Sequence, residues 1–502
     1  MFRLIRSKFN AANCFLIYGA LLIVSLAPIW AVAVPPLVDY PNHLARMYIL
    51  AHAGNSEILR NFYEIHWAVL PNLAMDLVVP PLAHVFPIEV AGKIFLSLTL
   101  VIMSSGTIAL HYALHRRLTP WPLAVFLFLY NGSFLYGMIN FLFALGFALW
   151  LLAAWIYVRD RMSWPHALLF SCFAVALFFA HLAGLAVYAL GIAGYEFARY
   201  RNQRAESQPV SFKPWLMALL QFAAPAVFMF FSPTSEALFV SPHDFNDAQF
   251  YAPRKLFGLL ELLHTYHRTL DVVILILLAV LIVISMISRR IILNSSLRWV
   301  VVALVAAYLV MPFQAFGSSF ADYRLTVPLA LVFIAGTDLH SINVKQGIIL
   351  TAFLLILFMG RTALITEKWS QSDQFYAKIF LAYAQLPEGA RMYTAYPEKG
   401  LELDFPAGDF RSMAIIAKSA FVPTLYAAPF TTIALRPPYK VLASRTPQYS
   451  SHKSPADWAW LSSQYDYLLI LDEDRFTAKL PPDILLVHDD GRIRLYRTHR
   501  AS

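Results

Sequence analysis

Charge is what this chain has least of. Charged residues fill 14% of its 502 positions, against about 25% in soluble domains, and mean hydropathy is +0.58. A soluble globular enzyme is excluded at that composition. Cysteine is almost missing: Cys14 and Cys172 are the only two, and both lie inside apolar runs. That argues against a disulfide framework or a cysteine-based metal site. No phosphate-cradling Gly-x-x-x-x-Gly-Lys-Ser/Thr loop, nucleophile elbow or His-Glu-x-x-His is present. ATP-driven transport and the common hydrolase chemistries lose their support with them. Internal repeats and low-complexity stretches are absent as well. The net charge of +9 comes without a basic stripe interleaved with aromatics, so nucleic acid is excluded as a partner.

What the chain does have is apolar length. Runs near 20 residues recur along its first three quarters, each long enough for a bilayer core of roughly 30 Å. The pattern predicts a mainly α, polytopic transmembrane bundle of about 11 spans, near 12–34, 89–113, 121–134, 139–157, 166–181, 183–198, 214–231, 271–288, 298–316, 325–338 and 346–363. The first run is too long for the apolar core of a signal peptide and is expected to stay as a helix. Basic residues alternate between loops. One set holds Arg3, Arg6 and Lys8, Arg116 and Arg117, the Arg199–Arg204 cluster, and Arg289 and Arg290; the other set is sparse. By the positive-inside rule the N-terminus is cytoplasmic. An odd number of spans then places the C-terminus outside the inner membrane.

Three outer regions follow: a first loop near 35–88, a second near 232–270, and a tail, 364–502, distinct from the transmembrane domain at 1–363. In the tail, EKWSQSDQFYAKIFLAYAQLPEG predicts a helix ended by Gly389, YDYLLIL a buried strand, and ILLVHDDGRIRLYR a hairpin turning at Asp490-Gly491. The tail is expected to be a small α/β domain.

The stretch VDYPNHLARMYIL carries the main chemical signal. Asp39, Asn42, His43 and Arg46 fall at i, i+3, i+4 and i+7, one face of a helix. Leu44, Met47, Tyr48 and Ala51 fall opposite, so the helix is expected to lie along the membrane surface with its apolar side in the lipid boundary. Asp39 is either a helix cap ahead of Pro41 or a member of a functional face. Asp76 lies in an apolar run and is either paired locally or functional. His181 stands at an outer turn as a satisfied core residue or a site residue. Asp322 and Arg324 either pair with each other or leave Arg324 for a phosphate. Arg361 either snorkels or binds the same group. His264 and His267 have metal-compatible spacing only.

This order of elements resembles the GT-C superfamily of polytopic glycosyltransferases. The resemblance covers most of residues 1–365. VDYPNHLARMY is similar to the acidic first-loop motif, and FADYRLTVP to a late segment near the carrier phosphate. It implies transfer of a sugar from a polyprenyl-phosphate carrier, within a membrane lipid phase, to an extracytoplasmic glycan, lipid or protein acceptor. Asp39 would be the catalytic acid–base group. Arg324 and Arg361 would hold the carrier phosphate. His43 and Arg46 would line the cavity, with Asp76 a second acid of the same loop and His181 and Asp322 nearby. Relatives often carry two adjacent acids in this loop; here no acid stands nearer Asp39 than Glu57, so no metal and no cofactor are expected. The rival reading is a non-enzymatic membrane protein, a flippase for lipid-linked glycans or an assembly partner, with polar groups at broken mid-membrane helices. A third is a polymerase or ligase of lipid-linked glycans.

Overall fold

The computed structural model describes residues 11–238, 252–315, 318–396, 407–427, 431–447, 457–476 and 480–498. A stretch of the expected second outer loop, 239–251, lies outside them. Eight short strands occur among the described residues: β1 (Tyr63–Ile65), β2 (Ile291–Leu293), β3 (Thr337–Leu339), β4 (Met392–Ala395), β5 (Ile433–Leu435), β6 (Tyr467–Leu471), β7 (Leu485–Asp489) and β8 (Ile493–Arg497). Everything else of regular structure is helical.

Two compact units emerge. One holds the chain through Pro28, Val69–Ala74 and Leu96–Thr366; the other holds Ile29–Ala68, Met75–Phe95 and the chain from Glu367 onward.

The first unit is the membrane bundle. Helical segments overlap each of the eleven expected positions, although 121–134 holds a 3-10 segment, Trp121–Phe128, followed by the short helix Gly132–Leu135. Six helices among the described residues are long and apolar enough to cross a bilayer: Asn13–Ala31, Ile88–His115, Ile139–Arg161, Lys213–Phe231, Arg268–Ile287 and Val344–Ala384. Trp121–Leu135, Trp164–Ala180, Ser295–Val310 and Tyr323–Gly336 are apolar but shorter. Small residues let these helices approach closely, as they do where lipid supplies no hydrophobic drive between helices. A Cβ on Gly106 would meet the Gly146 carbonyl at 2.7 Å, and one on Gly194 would meet the Val300 backbone at the same distance. Charge inside this unit is neutralised in place. Glu196 is fully buried and accepts from Trp155 Nε1 at 2.9 Å and Arg159 Nη2 at 2.9 Å.

The span expected at 214–231 is broken into Lys213–Leu220 and Ala223–Phe231. Pro225 explains the break, because its ring removes the amide that would bond the carbonyl of Gln221 and clashes with it. Gln221 itself is buried and satisfied, accepting from the Tyr188 hydroxyl at 2.7 Å and donating to Ala218 O at 3.1 Å. The last span departs in the other direction. Instead of stopping near 363, the helix runs unbroken over Val344–Ala384. No Gly or Pro stands between Arg361 and Ala384 to stop it.

In the second unit the strands run in the order β4-β6-β8-β7, with β4 and β6 parallel and the other pairs antiparallel. The central β6 is buried along its whole length, as an apolar run flanked on both sides requires. β7 and β8 form the expected hairpin, Gly491 supplying φ +73 at the turn. The long helix gives way to a turn at Gly389, φ +74. The expected first outer loop is knitted to the tail. β1 pairs antiparallel with β5, Tyr63 opposite Leu435 and Ile65 opposite Ile433. His66 N donates to Thr432 O and Arg436 N to Phe62 O at the two ends of that pairing.

Candidate functional site

The polar stretch folds as the helix Tyr40–His52, with Pro41 in its first turn, where a missing amide costs nothing. Its orientation corrects one expectation. Leu44 and Met47 are fully buried within the second unit, and so are Asn42 and Arg46 on the opposite face. Tyr40 and Leu44 press on Gly92, where a Cβ would stand 2.2 Å from the Tyr40 hydroxyl. The apolar side is therefore enclosed by protein and not laid in the lipid boundary: the loop is long enough to fold onto the tail and bury both faces.

Asp39 takes the N-cap position at φ −89, ψ −11, yet its side chain caps nothing. Its Oδ1 instead accepts from the Tyr426 hydroxyl at 3.0 Å, and the same hydroxyl lies 3.0 Å from Asp409 Oδ2. Arg411 Nη2 stands 3.8 Å from Asp409 Oδ1. Burial pushes the Asp409 carboxyl above the usual carboxylate range, against the pull of Arg411 and of hydrogen bonds with Tyr426 and Asp39. Asn42 sets this arrangement. Its Nδ2 donates to Thr424 O at 3.0 Å while its Oδ1 accepts from Tyr426 N at 2.8 Å. One amide thus holds the backbone on both sides of residue 425 and presents the Tyr426 ring to Asp39.

Arg46 and Asp76, both almost wholly buried, form an ion pair at 2.8 Å. Thr432 Oγ1 donates to Asp76 Oδ1 at 2.7 Å and also receives a long contact from Arg46. Arg46 Nη1 faces His43 Nδ1 at 3.3 Å. Since a guanidinium only donates, that nitrogen is the acceptor of a neutral imidazole. Burial and the neighbouring guanidinium push the His43 imidazole down to about 3. The His43 ring in turn meets the Tyr426 ring edge-on, with centroids 6.2 Å apart.

The remaining sequence candidates lie in the first unit. His181 caps the helix Leu182–Ala205, its Nδ1 accepting from Ala183 N at 3.0 Å. Asp322 and Arg324, close in sequence, do not pair with each other. Lys255 reaches Asp322 Oδ2 at 2.8 Å and also donates to Tyr308 O and Met311 O. Arg324 donates to Ser318 Oγ at 2.7 Å and lies 3.4 Å from the Met138 sulfur. Arg361 does not snorkel: it is 4% exposed, donates to Tyr130 O at 2.9 Å and to Leu263 O, and stands 4.0 Å from Asp271. His264 meets Glu261 at 3.4 Å. No group of three or more His, Cys, Asp or Glu converges as a cation site among the described residues.

Asp409, Tyr426 and Arg411 do not stand out in the sequence. The expectation that Asp39 lacks a second acid holds only for its own loop; the acid comes from the tail, with Tyr426 387 positions from Asp39. The local signal is an acid and an arginine two apart in AGDFRS, too common a pattern to select.

Neither a protein-family model nor a curated protein sequence matches the chain. Solved structures do. The crystal structure of ArnT from Cupriavidus metallidurans bound to undecaprenyl phosphate superposes with TM-score 0.51 at 9% identity, over 97% of this chain and 98% of that one. The apo form of the same protein gives TM-score 0.49 at 11% identity over the same shares. At such identity the likeness is one of fold. The fold, a bundle of apolar helices with a small sheet-bearing tail, is the one the ArnT structure shows.

Proposed function

We propose that the protein is a membrane glycosyltransferase that moves a sugar from a polyprenyl-phosphate carrier to an acceptor outside the cytoplasm. The observation that carries this reading is the setting of Asp39. A half-buried carboxylate stands at the start of the first-loop helix, held by Tyr426 instead of being used as a helix cap. The ArnT-like fold supports it, since the ArnT structure holds undecaprenyl phosphate. In this scheme Asp39 accepts the proton of an acceptor hydroxyl as its oxygen bonds the anomeric carbon. The bond from that carbon to the carrier phosphate breaks, and polyprenyl phosphate leaves. Arg324 is the better candidate of the two arginines for the phosphate, because Arg361 is committed to main-chain carbonyls. Arg46 and Asp76 hold the helix bearing Asp39, and His181 holds a helix start. The N-terminus is assigned to the cytoplasm and the tail from 364 onward to the outer face, in keeping with the loop charges.

A transporter would use the broken helix Lys213–Phe231, but the polar group there, Gln221, is already satisfied by Tyr188. The test is genetic. In a strain lacking the protein, mass spectrometry of envelope lipids and glycans should show a sugar modification missing. The wild-type chain should restore it and Asp39→Asn should not, at equal protein level. Restoration by Asp39→Asn would overturn the enzymatic reading.

A further inference from the structure

We propose that the first unit holds one anionic phospholipid, an acyl chain lying in an apolar groove between three membrane helices and the headgroup phosphate resting on Arg116. The inference does not depend on the transfer reaction.

The groove follows from how two helices part. Ile88–His115 and Ile139–Arg161 touch at Gly106 and Gly146, where a Cβ on either glycine would stand 2.7 Å from the facing backbone. Beside and beyond that contact a cavity of about 420 Å³ opens, lined from 105–118 on one helix and its end and from 150–158 on the other. Cys14, Phe15 and Tyr18 of the helix Asn13–Ala31 form its third wall. The polar atoms along it are already used. Ser105 Oγ donates to Val101 O at 2.6 Å and accepts from Trp150 Nε1 at 3.0 Å, and the Tyr18 hydroxyl bonds Ser104 Oγ at 3.1 Å. What the wall offers is hydrocarbon and ring face. Phe15 is 69% exposed and Tyr157 55%, so the groove opens at the side of the bundle, where the neighbour is lipid. An apolar void forfeits dispersion contacts unless something fills it, and a hydrocarbon chain is the filling a bilayer supplies.

One end of the groove is basic. Arg116 follows the last residue of the helix Ile88–His115 with a left-handed backbone, φ +53. Its guanidinium carbon lies 4.4 Å from the centre of the Tyr157 ring, which is part of the groove wall. A guanidinium held over a ring face keeps its N–H donors for another partner. No carboxylate or carbonyl takes them among the described residues. The neighbouring arginines are committed: Arg117 to Asp338, Arg159 to Glu196 and Asp160, Arg199 to Asp160. Arg161, three residues past Val158, is exposed and makes no ion pair among the described residues. The acids here are therefore neutralised, and positive charge is left over at the mouth of an apolar groove. That combination complements a phosphodiester anion carried on an acyl chain. It does not favour a zwitterionic headgroup, whose own ammonium would face the arginine. The loop charges assign this end to the cytoplasm, the side where basic pockets between membrane helices take anionic lipid headgroups.

Native mass spectrometry of the purified full chain tests the site. The protein is delipidated and then given phosphatidylglycerol, phosphatidylcholine of the same acyl chains, or undecaprenyl phosphate. Wild type should hold one phosphatidylglycerol at least about tenfold more tightly than phosphatidylcholine, the difference that one hydrogen bond to a charged group makes. Arg116→Gln should erase that preference. Ala154→Trp fills the groove from an exposed position of its wall and should lose both phospholipids. Arg289→Gln, at another helix end with φ +52 and away from the groove, should change nothing. A second readout needs no change in the groove. In Cys172→Ser protein Cys14 is the only thiol, so phosphatidylglycerol should block its alkylation by N-ethylmaleimide and phosphatidylcholine should not. Equal retention of the two phospholipids by wild type would overturn the site, as would a preference that survives Arg116→Gln or that Arg289→Gln erases as fully. Protection of Cys14 by undecaprenyl phosphate in place of phosphatidylglycerol would overturn the phospholipid as occupant.

Discussion

In the unit formed by the expected first outer loop and the tail, several charged side chains meet other side chains: Arg46 with Asp76, Tyr426 with Asp39 and Asp409. In the membrane unit the cations Lys255 and Arg361 are turned largely onto main-chain carbonyls, those of Tyr308, Met311, Tyr130 and Leu263. The carbonyls freed where apolar helices end have no water to bond inside a bilayer, so a buried cation is the natural partner for them. The second unit has sheet and loop to absorb many of its backbone groups; Arg60 and Lys93 there also donate to carbonyls, but Arg46, Asp76, Asp39 and Asp409 meet side chains. An arginine near a membrane edge is therefore a poor marker of phosphate binding until its carbonyl contacts are known. An acid held by a phenol, and not spent on a helix cap, is a better marker of chemistry.

Mutations can break that contrast in order of effect. Asp76→Ala removes the partner of a buried guanidinium and should cost about 3–5 kcal/mol of stability, read by chemical unfolding in detergent. A double change, Asp76→Leu with Arg46→Met, should recover much of it, because the burial penalty leaves with both charges. If the double variant is no better than the single one, the pair is not a stabilising unit. Arg361→Lys keeps the charge but loses the fork that spans two carbonyls. It should cost about 1–3 kcal/mol and leave the binding of a polyprenyl phosphate unchanged. Weakened carrier binding in a stable Arg361→Lys protein would return Arg361 to the phosphate site. Asn42→Ala, by releasing the backbone beside Tyr426, should cost about 1–3 kcal/mol and also depress transfer, whereas a purely structural asparagine would affect stability alone.

The smallest effect is a pH slope. An unfolded histidine titrates near 6.5, while His43 in the fold is held down to about 3. Between those values the unfolded chain binds a proton that the folded chain refuses, so this contribution to stability is complete above 6.5 and is lost as pH falls toward 3. Asp409 works with the opposite sign: its raised carboxyl favours the fold most below the ordinary carboxylate range, and that contribution is lost as pH rises through its shifted value. His43→Gln should flatten the acid side of the stability curve. An unchanged slope would mean that burial and Arg46 do not hold His43 neutral in the fold.

Much of this is readable from sequence, and the reasons are physical. Bilayer thickness sets a length that apolar runs must meet, so helix positions follow from composition. Asp490-Gly491 marks a hairpin because only a few residues accept its backbone. Helical phase puts Asp39, Asn42, His43 and Arg46 on one side. The partners are not readable. Arg46 and Asp76 are 30 positions apart, and each draws notice for a separate reason. Asp322 is expected to take the nearby Arg324 or leave it for a phosphate, yet Lys255 reaches it from the expected second outer loop. Tyr426 and Asp409 come from a tail whose local sequence carries no periodicity pointing at the first loop. The break at Gln221 is hidden because Pro225 sits within a run that is otherwise apolar enough to be one span.

Everything in the proposed reaction turns on Asp39 performing the transfer step. The level of polyprenyl-phosphate-linked sugar in membranes carrying wild-type or Asp39→Asn protein at equal abundance decides it. A blocked transferase leaves its donor unused, so the donor should accumulate in the Asp39→Asn strain while the sugar-modified acceptor disappears. Unchanged donor and unchanged acceptor in that strain would show that Asp39 does not carry the reaction.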